Sequence, residues 1–364
     1  MSEFPVFFTE DEKKWLTGSR FIEQIEEKID EIKQDYDLVC LEVPEFKQFD
    51  LVEYTKMRMI VASRIFGITI DKVKTDAFVP LADMLNHKRP RETTWYYSDN
   101  LQGFVIEACE DIPRGLPVHD SYGKKCNSRF FLNYGFINVP NDGNEILLKL
   151  ALEESLPHYD VKMKLVNGRY PFQWFRVVEN LTDQSMLDML SWARYIVFED
   201  EPTALFLARN EKISEIKQKR EHDKRYDSEE DSDDIYDLQD AFKAHNIKPF
   251  SISNEIAAWQ LIKEVAIMTA KGYPQTLEED IEIIAKDNEQ EFLTRNQRNC
   301  VLFRMGEKEI YQFLVDCADC MQTIMKQSMK EAKATLNNFA HFNVCDTYIK
   351  QTVFQLMNSK GMDA

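Results

Sequence analysis

Glycine is scarce in this chain. Its 364 residues hold 11 glycines, and no two of them stand a single residue apart. That removes every G-x-G fingerprint. G-x-x-x-x-G-K-[ST] is missing too, so the usual glycine-rich phosphate cradles are absent. There is no G-x-S-x-G elbow for a serine hydrolase and no H-E-x-x-H for a helical zinc site. No apolar run approaches the roughly 20 residues of a membrane span. The opening MSEFPVFFTEDEKKW lacks the basic-then-apolar order of a secretory signal. Seven cysteines, odd in number and scattered, suit reduced thiols better than a disulfide framework. The expected setting is the cytoplasm and/or nucleus, with no membrane partner.

Positive charge is also short. Sixty-three acids stand against 45 bases, a net charge of −18. Phosphate affinity comes from Lys and Arg, so direct nucleic-acid binding is not expected. A protein partner with a basic segment is the natural electrostatic match. Apolar residues make up 44% of the chain, enough for a sizeable core, and the length suits two domains. Nothing in the sequence fixes an oligomeric state.

Apolar spacing predicts an amphipathic helix over 11–35, carried by Phe21, Ile22, Ile25, Ile29 and Ile32. A second helix is expected over 50–66. FVPLADML (78–85) breaks the helical pattern at Pro80. TTWYYSD and FVIEAC, joined by NLQG, predict a β-hairpin, the one clear β region. FLNYGFINVPNDGNE reads as turn-rich. From about 145 strands are rare, and helices are expected at 183–199, 202–222, 253–271, 277–286, 289–303 and 307–338. In the last, Ile310, Leu314, Cys317, Met321, Ile324 and Met325 form one stripe, read as core. DSEEDSDDIYDLQD (227–240) is densely acidic after a basic stretch, the pattern of a solvated loop. Cys317 and Cys320 have zinc spacing but lie in helical sequence without a second pair, so no metal is expected.

Two segments carry possible chemistry. DMLNH (83–87) ends an apolar run, and DSYGKKCNSRFFLNYGF (120–136) follows the hairpin. In this order they resemble the C-terminal half of a SET domain. Residues 1–80 resemble the helical insert of the branch holding the Rubisco large-subunit lysine methyltransferases and the actin-histidine methyltransferases. NEIAAWQLIKEVA, TLEEDIEII and FRMGEKEIYQFL resemble that branch's helical substrate-binding domain.

The resemblance implies an α+β fold. A partial SET domain would cover 1–140, with the insert at 1–78 and the C-terminal SET portion at 79–140. A helical substrate-binding domain would follow over 141–345 with an acidic loop at 226–240, then a tail at 346–364. It implies S-adenosyl-L-methionine as cofactor and a protein substrate. Asp83, Met84, Leu85, Asn86 and His87 would hold the cofactor, with Tyr134, Gly135, Phe136 and Arg64. Tyr122 would be the catalytic tyrosine, with Arg64 and Phe66 beside the substrate.

A lysine amine, with an ordinary pKa near 10.4, must lose its proton before it attacks, and a dry aromatic channel favours the neutral form. Phe66 stands where the histidine enzymes have an asparagine. It cannot hydrogen-bond an imidazole, so lysine is favoured and histidine stays open. A complete domain of this type opens with a β portion bearing G-x-G, which this sequence lacks. The alternative expectation is therefore a catalytically inactive, SET-derived protein-binding module.

Overall fold

The computed structural model describes residues 2–165, 171–199, 247–249 and 251–359. The expected helix at 202–222 and the acidic block at 227–240 lie outside them. Two compact units are present. The first is Met1–Asn144 with Glu278–Gly306, and the second is Glu145–Leu277 with Glu307–Ala364.

In the first unit the expected 11–35 helix is divided. α1 (Glu10–Lys13) starts on a Thr9/Glu12 capping box, and Gly18, at φ +93°, turns the chain before α2 (Phe21–Glu42). α2 buries Phe21, Ile25 and Ile32 along one stripe. α3 (Leu51–Arg64) opens on Asp50, whose carboxylate accepts from the Glu53 N–H at 2.7 Å.

The hairpin β1 (Ile65–Ile70) and β2 (Val73–Phe78) comes next, in a region expected to be helix and broken apolar run. Its two-residue turn, Asp71-Lys72, has both residues left-handed, the geometry that matches strand twist. The sequence hid it because Asp-Lys is a weak turn signal. The expected second hairpin is present as β4 (Thr93–Ser98) and β5 (Gly103–Ala108). Phe66 and Ile68, alternate residues of β1, pack with Trp95, Phe104 and Ile106. Between the hairpins, β3 (Asn86–His87) pairs in parallel with β6 (His119–Asp120). The expected turn at FLNY is instead the end of a helix, α4 (Asn127–Tyr134).

α8 begins α-helical geometry at Leu277 and runs to Gln290, and α9 spans Arg295–Ile324. The expectation gave 278–306 to the helical domain. The structure places it in the first unit, and the division after Asn144 lies four residues beyond the expected one. The physical reason is packing. Phe303 lies 4.4 Å from Phe21, ring to ring, and buried Arg304 clasps buried Asp280 through Nε and Nη2. α9 is also one helix, not two. Gly306 allows a close approach, since a Cβ there would lie 2.8 Å from Asn144 Nδ2.

The second unit pairs β7 (Ile146–Ala151) with β8 (Phe172–Val177), strands the helical patterning concealed. α5 (Tyr159–Leu165), α6 (Gln184–Ile196), α7 (Ile252–Ala270), α10 (Met329–Leu336), α11 (Phe342–Tyr348) and α12 (Phe354–Ser359) complete it. The Ile310–Met325 stripe is buried in its core, as the spacing predicts. Cys317 lies 3.6 Å from Cys345, sulfur to sulfur, while the His341 ring meets Asp316 at 3.2 Å. No helix among the described residues is long and apolar enough to cross a membrane.

The expected tail at 346–364 is core as far as Val353. Tyr348, Ile349 and Val353 are buried. The Tyr348 hydroxyl donates to Glu255, and the Trp259 indole donates to Tyr348 at 2.9 Å. Glu255 in turn takes two hydrogen bonds from Arg194, at 2.7 and 2.8 Å. Tyr348→Phe leaves the buried Trp259 N–H without its acceptor and takes one hydrogen bond from Glu255. Its expected cost is about 1–3 kcal/mol, read by urea unfolding. An unchanged midpoint would return residue 348 to a tail.

Candidate active site

The parallel pairing of β3 with β6 brings two distant segments together. Asn86 is opposite His119 and His87 is opposite Asp120. Glu92, only 4% exposed, fastens this crossing. Its carboxylate accepts from the His119 N–H at 2.8 Å, meets His119 Nδ1 at 2.9 Å and takes the Lys88 ammonium. Lys88 and then His119 hold its pKa down to about 2.

The chain then delivers Tyr122 onto DMLNH. Its backbone N–H donates to His87 Nδ1 at 2.9 Å, and its hydroxyl donates to the Leu85 carbonyl at 2.7 Å. The Tyr122 ring lies 5.2 Å from His87 and stacks on Tyr134 at 5.0 Å. Phe136 packs 6.0 Å from His87 and 6.2 Å from Tyr122. Burial first, then Asp120 and Tyr134, raises the Tyr122 pKa, with Arg64 opposing. The residue is thus kept as a neutral phenol.

His87 is held neutral. Burial, helped by Arg89 and Lys125, pushes its pKa down to about 4. Since Nδ1 accepts from Tyr122, the proton of the neutral ring sits on Nε2. Among the described residues, that buried nitrogen has no hydrogen-bond partner.

A cavity of about 400 Å³ opens beside Tyr122. Of the residues expected from sequence, Arg64, Phe66, Asp83, Leu85, Tyr122 and Tyr134 line it. Arg64 donates to the Asp83 carbonyl at 3.1 Å and to its carboxylate at 3.3 Å. His87 and Phe136 pack against Tyr122 without lining the cavity, while Met84 and Asn86 are exposed. Gly135 is also off the wall. It closes α4 at φ +75°, where a Cβ would come within 3.1 Å of the Glu3 backbone. The wall further includes Trp95, Asp120, Arg91 and Lys125, which the sequence did not single out. A polar residue two before Tyr122, at the end of a short strand, is the signal that could have found Asp120.

The chain is similar to several known proteins. Residues 157–310 match the family described as Rubisco LSMT substrate-binding. The ribosomal lysine N-methyltransferase set10 of Schizosaccharomyces pombe is 26% identical over 180 residues, 48% of this chain and 33% of that protein. The human actin-histidine N-methyltransferase is 23% identical over 355 residues, 93% of this chain and 54% of that protein. The chain thus spans between a third and about half the length of these relatives. The SET domain of LSMT bound to MeLysine and AdoHcy shares the fold, with a TM-score of 0.60 and 19% identity, over 88% of this chain and 68% of that one. Rubisco LSMT bound to AdoMet superposes with a TM-score of 0.59, again at 19% identity, over 88% of this chain and 68% of that one.

The chain is thus similar to SET-domain proteins of the Rubisco and actin-histidine methyltransferase type. The described residues that match carry helices α1 to α3, the two hairpins of the first unit and the β3–β6 crossing.

The neutral state of His87 gives a pH prediction. Its folded pKa lies below the ordinary histidine value of 6.5. The stability it contributes is therefore full above that value and is lost as pH falls toward about 4. NMR of the imidazole carbons should show one ring titrating near pH 4 and missing in His87→Gln. A midpoint near the ordinary value would mean that the ring is solvated.

Proposed function

We propose that this chain is an S-adenosylmethionine-dependent methyltransferase acting on a side-chain nitrogen of a protein, lysine in preference to histidine. The observation that carries the reading is the placement of Tyr122. Its hydroxyl is anchored on Leu85 at the wall of a cavity shared with Phe66, Trp95 and Tyr134. Alignment and charge placement are what an in-line transfer needs, and a fixed phenol beside aromatic walls offers both.

The residues present suit the cofactor. His87 keeps a buried Nε2–H donor without an acceptor, and Asp83 brings a carboxylate to the cavity wall. Leu85 and Tyr134 add apolar and aromatic surface. The cofactor would supply an electrophilic methyl group on a sulfonium. The chain's own part is to orient the nitrogen with Tyr122, exclude water with its aromatic walls and keep the nucleophile uncharged. Phe66 supports lysine, since its ring, 5.2 Å from both Trp95 and Phe104, offers an imidazole no hydrogen bond. The names of the relatives support both nitrogens, one lysine and one histidine. Seven free cysteines support a place in the cytoplasm and/or nucleus.

Calorimetric titration with S-adenosylmethionine tests the reading. Binding at micromolar affinity is expected, followed by methyl transfer to lysine-bearing peptides. Tyr122→Phe should lower turnover about 10²-fold or more while leaving cofactor binding within a few-fold. Absence of cofactor binding would favour the binding-module reading.

A further inference from the structure

The cavity beside Tyr122 holds one deeply buried carboxyl group. Asp120 is 4% exposed. One carboxylate oxygen accepts from the Ser121 N–H at 2.6 Å, and the carboxyl group lies on the cavity wall with the Trp95 side chain as a hydrogen-bonding neighbour. The cationic groups of the same wall are weaker poles. Arg64 is exposed and occupied by Asp83, and Arg91 is exposed. Lys125 is half-buried, and burial lowers its pKa, which weakens its hold on a proton. A solvated charge is screened, while one out of water acts at a low effective dielectric, so Asp120 dominates the inner field. Around it stand Phe66, Trp95, Tyr122 and Tyr134, whose ring faces favour cations.

From this geometry we infer that Asp120 determines specificity in the cavity, as the counter-charge that admits a primary ammonium and then takes its proton. This rests on the reading of the cavity as the amine site of a methyltransferase, and deepens it. The balance is simple. An ammonium N–H bond breaks, an O–H bond forms on Asp120, and the electron pair stays on nitrogen. Two opposite charges in a dry site then become a neutral pair, which costs less to keep out of water. Burial also raises the Asp120 pKa above the ordinary carboxylate value, against the opposing pull of the Ser121 N–H and Arg91. The other groups facing it are Tyr122 and Tyr134, both raised partly by Asp120 itself, and neutral His87 across the β3–β6 pair.

The test uses the whole chain and two small probes of matched length, n-butylammonium and neutral n-pentanol. The readout is the Trp95 indole N–H resonance, assigned through Trp95→Phe. Butylammonium should shift it at concentrations about tenfold lower than pentanol, and Asp120→Asn should remove that preference. Equal affinity for the two probes in the unmutated chain, or a preference that survives Asp120→Asn, overturns the inference. If Asp120→Asn does not fold, the unmutated chain decides. The preference must vanish as pH falls through the carboxyl's titration, and its persistence in acid overturns the inference. Calorimetry with S-adenosylmethionine separates this from the parent reading. Cofactor binding without an amine preference sinks only the Asp120 role, and an amine preference without cofactor binding sinks only the methyltransferase reading.

Discussion

Everything at the site depends on a two-residue parallel pairing. β3 and β6 are too short to hold together through their own ladder. They are held by the buried Glu92 carboxylate, which grips His119 through both its backbone and its ring while Lys88 balances its charge. Charge-assisted hydrogen bonds to an otherwise dry carboxylate are the strong kind, and they concentrate the cost of failure in one residue. With the crossing fixed, the Tyr122 N–H meets His87, and the phenol is aimed without a flexible loop in between.

The same economy governs protonation. Tyr122 is kept as a phenol and His87 as a neutral ring, both chiefly by burial. Asp120, buried on the cavity wall, is placed to exchange a proton with something entering.

Much of this was legible in the sequence, and for physical reasons. The stripe from Ile310 to Met325 repeats with helical period, so its burial followed from spacing. TTWYYSD and FVIEAC carry alternation and β-branched or aromatic side chains, so their pairing did too. The β1–β2 and β7–β8 hairpins were not legible. Asp71-Lys72 lacks the Asn-Gly signature, and β7 lies beside long helical stretches that dominate the local pattern. Tyr348 and Val353 looked like a tail because their partners, Glu255 and Trp259 among them, are remote in sequence. At the site, motif order located DMLNH and Tyr122, but lining depends on side-chain direction. That is why Asn86 and Gly135 lie off the cavity while Trp95 and Asp120 lie on it.

Gly135 shows how a residue can look functional for reasons that are not chemical. Its left-handed backbone and the Glu3 carbonyl pressed against it forbid a side chain twice over. Saturation mutagenesis of this chain would therefore rank position 135 among the least tolerant, level with Tyr122. Intolerance alone would not separate a reacting group from a place where two stretches of backbone need to pass.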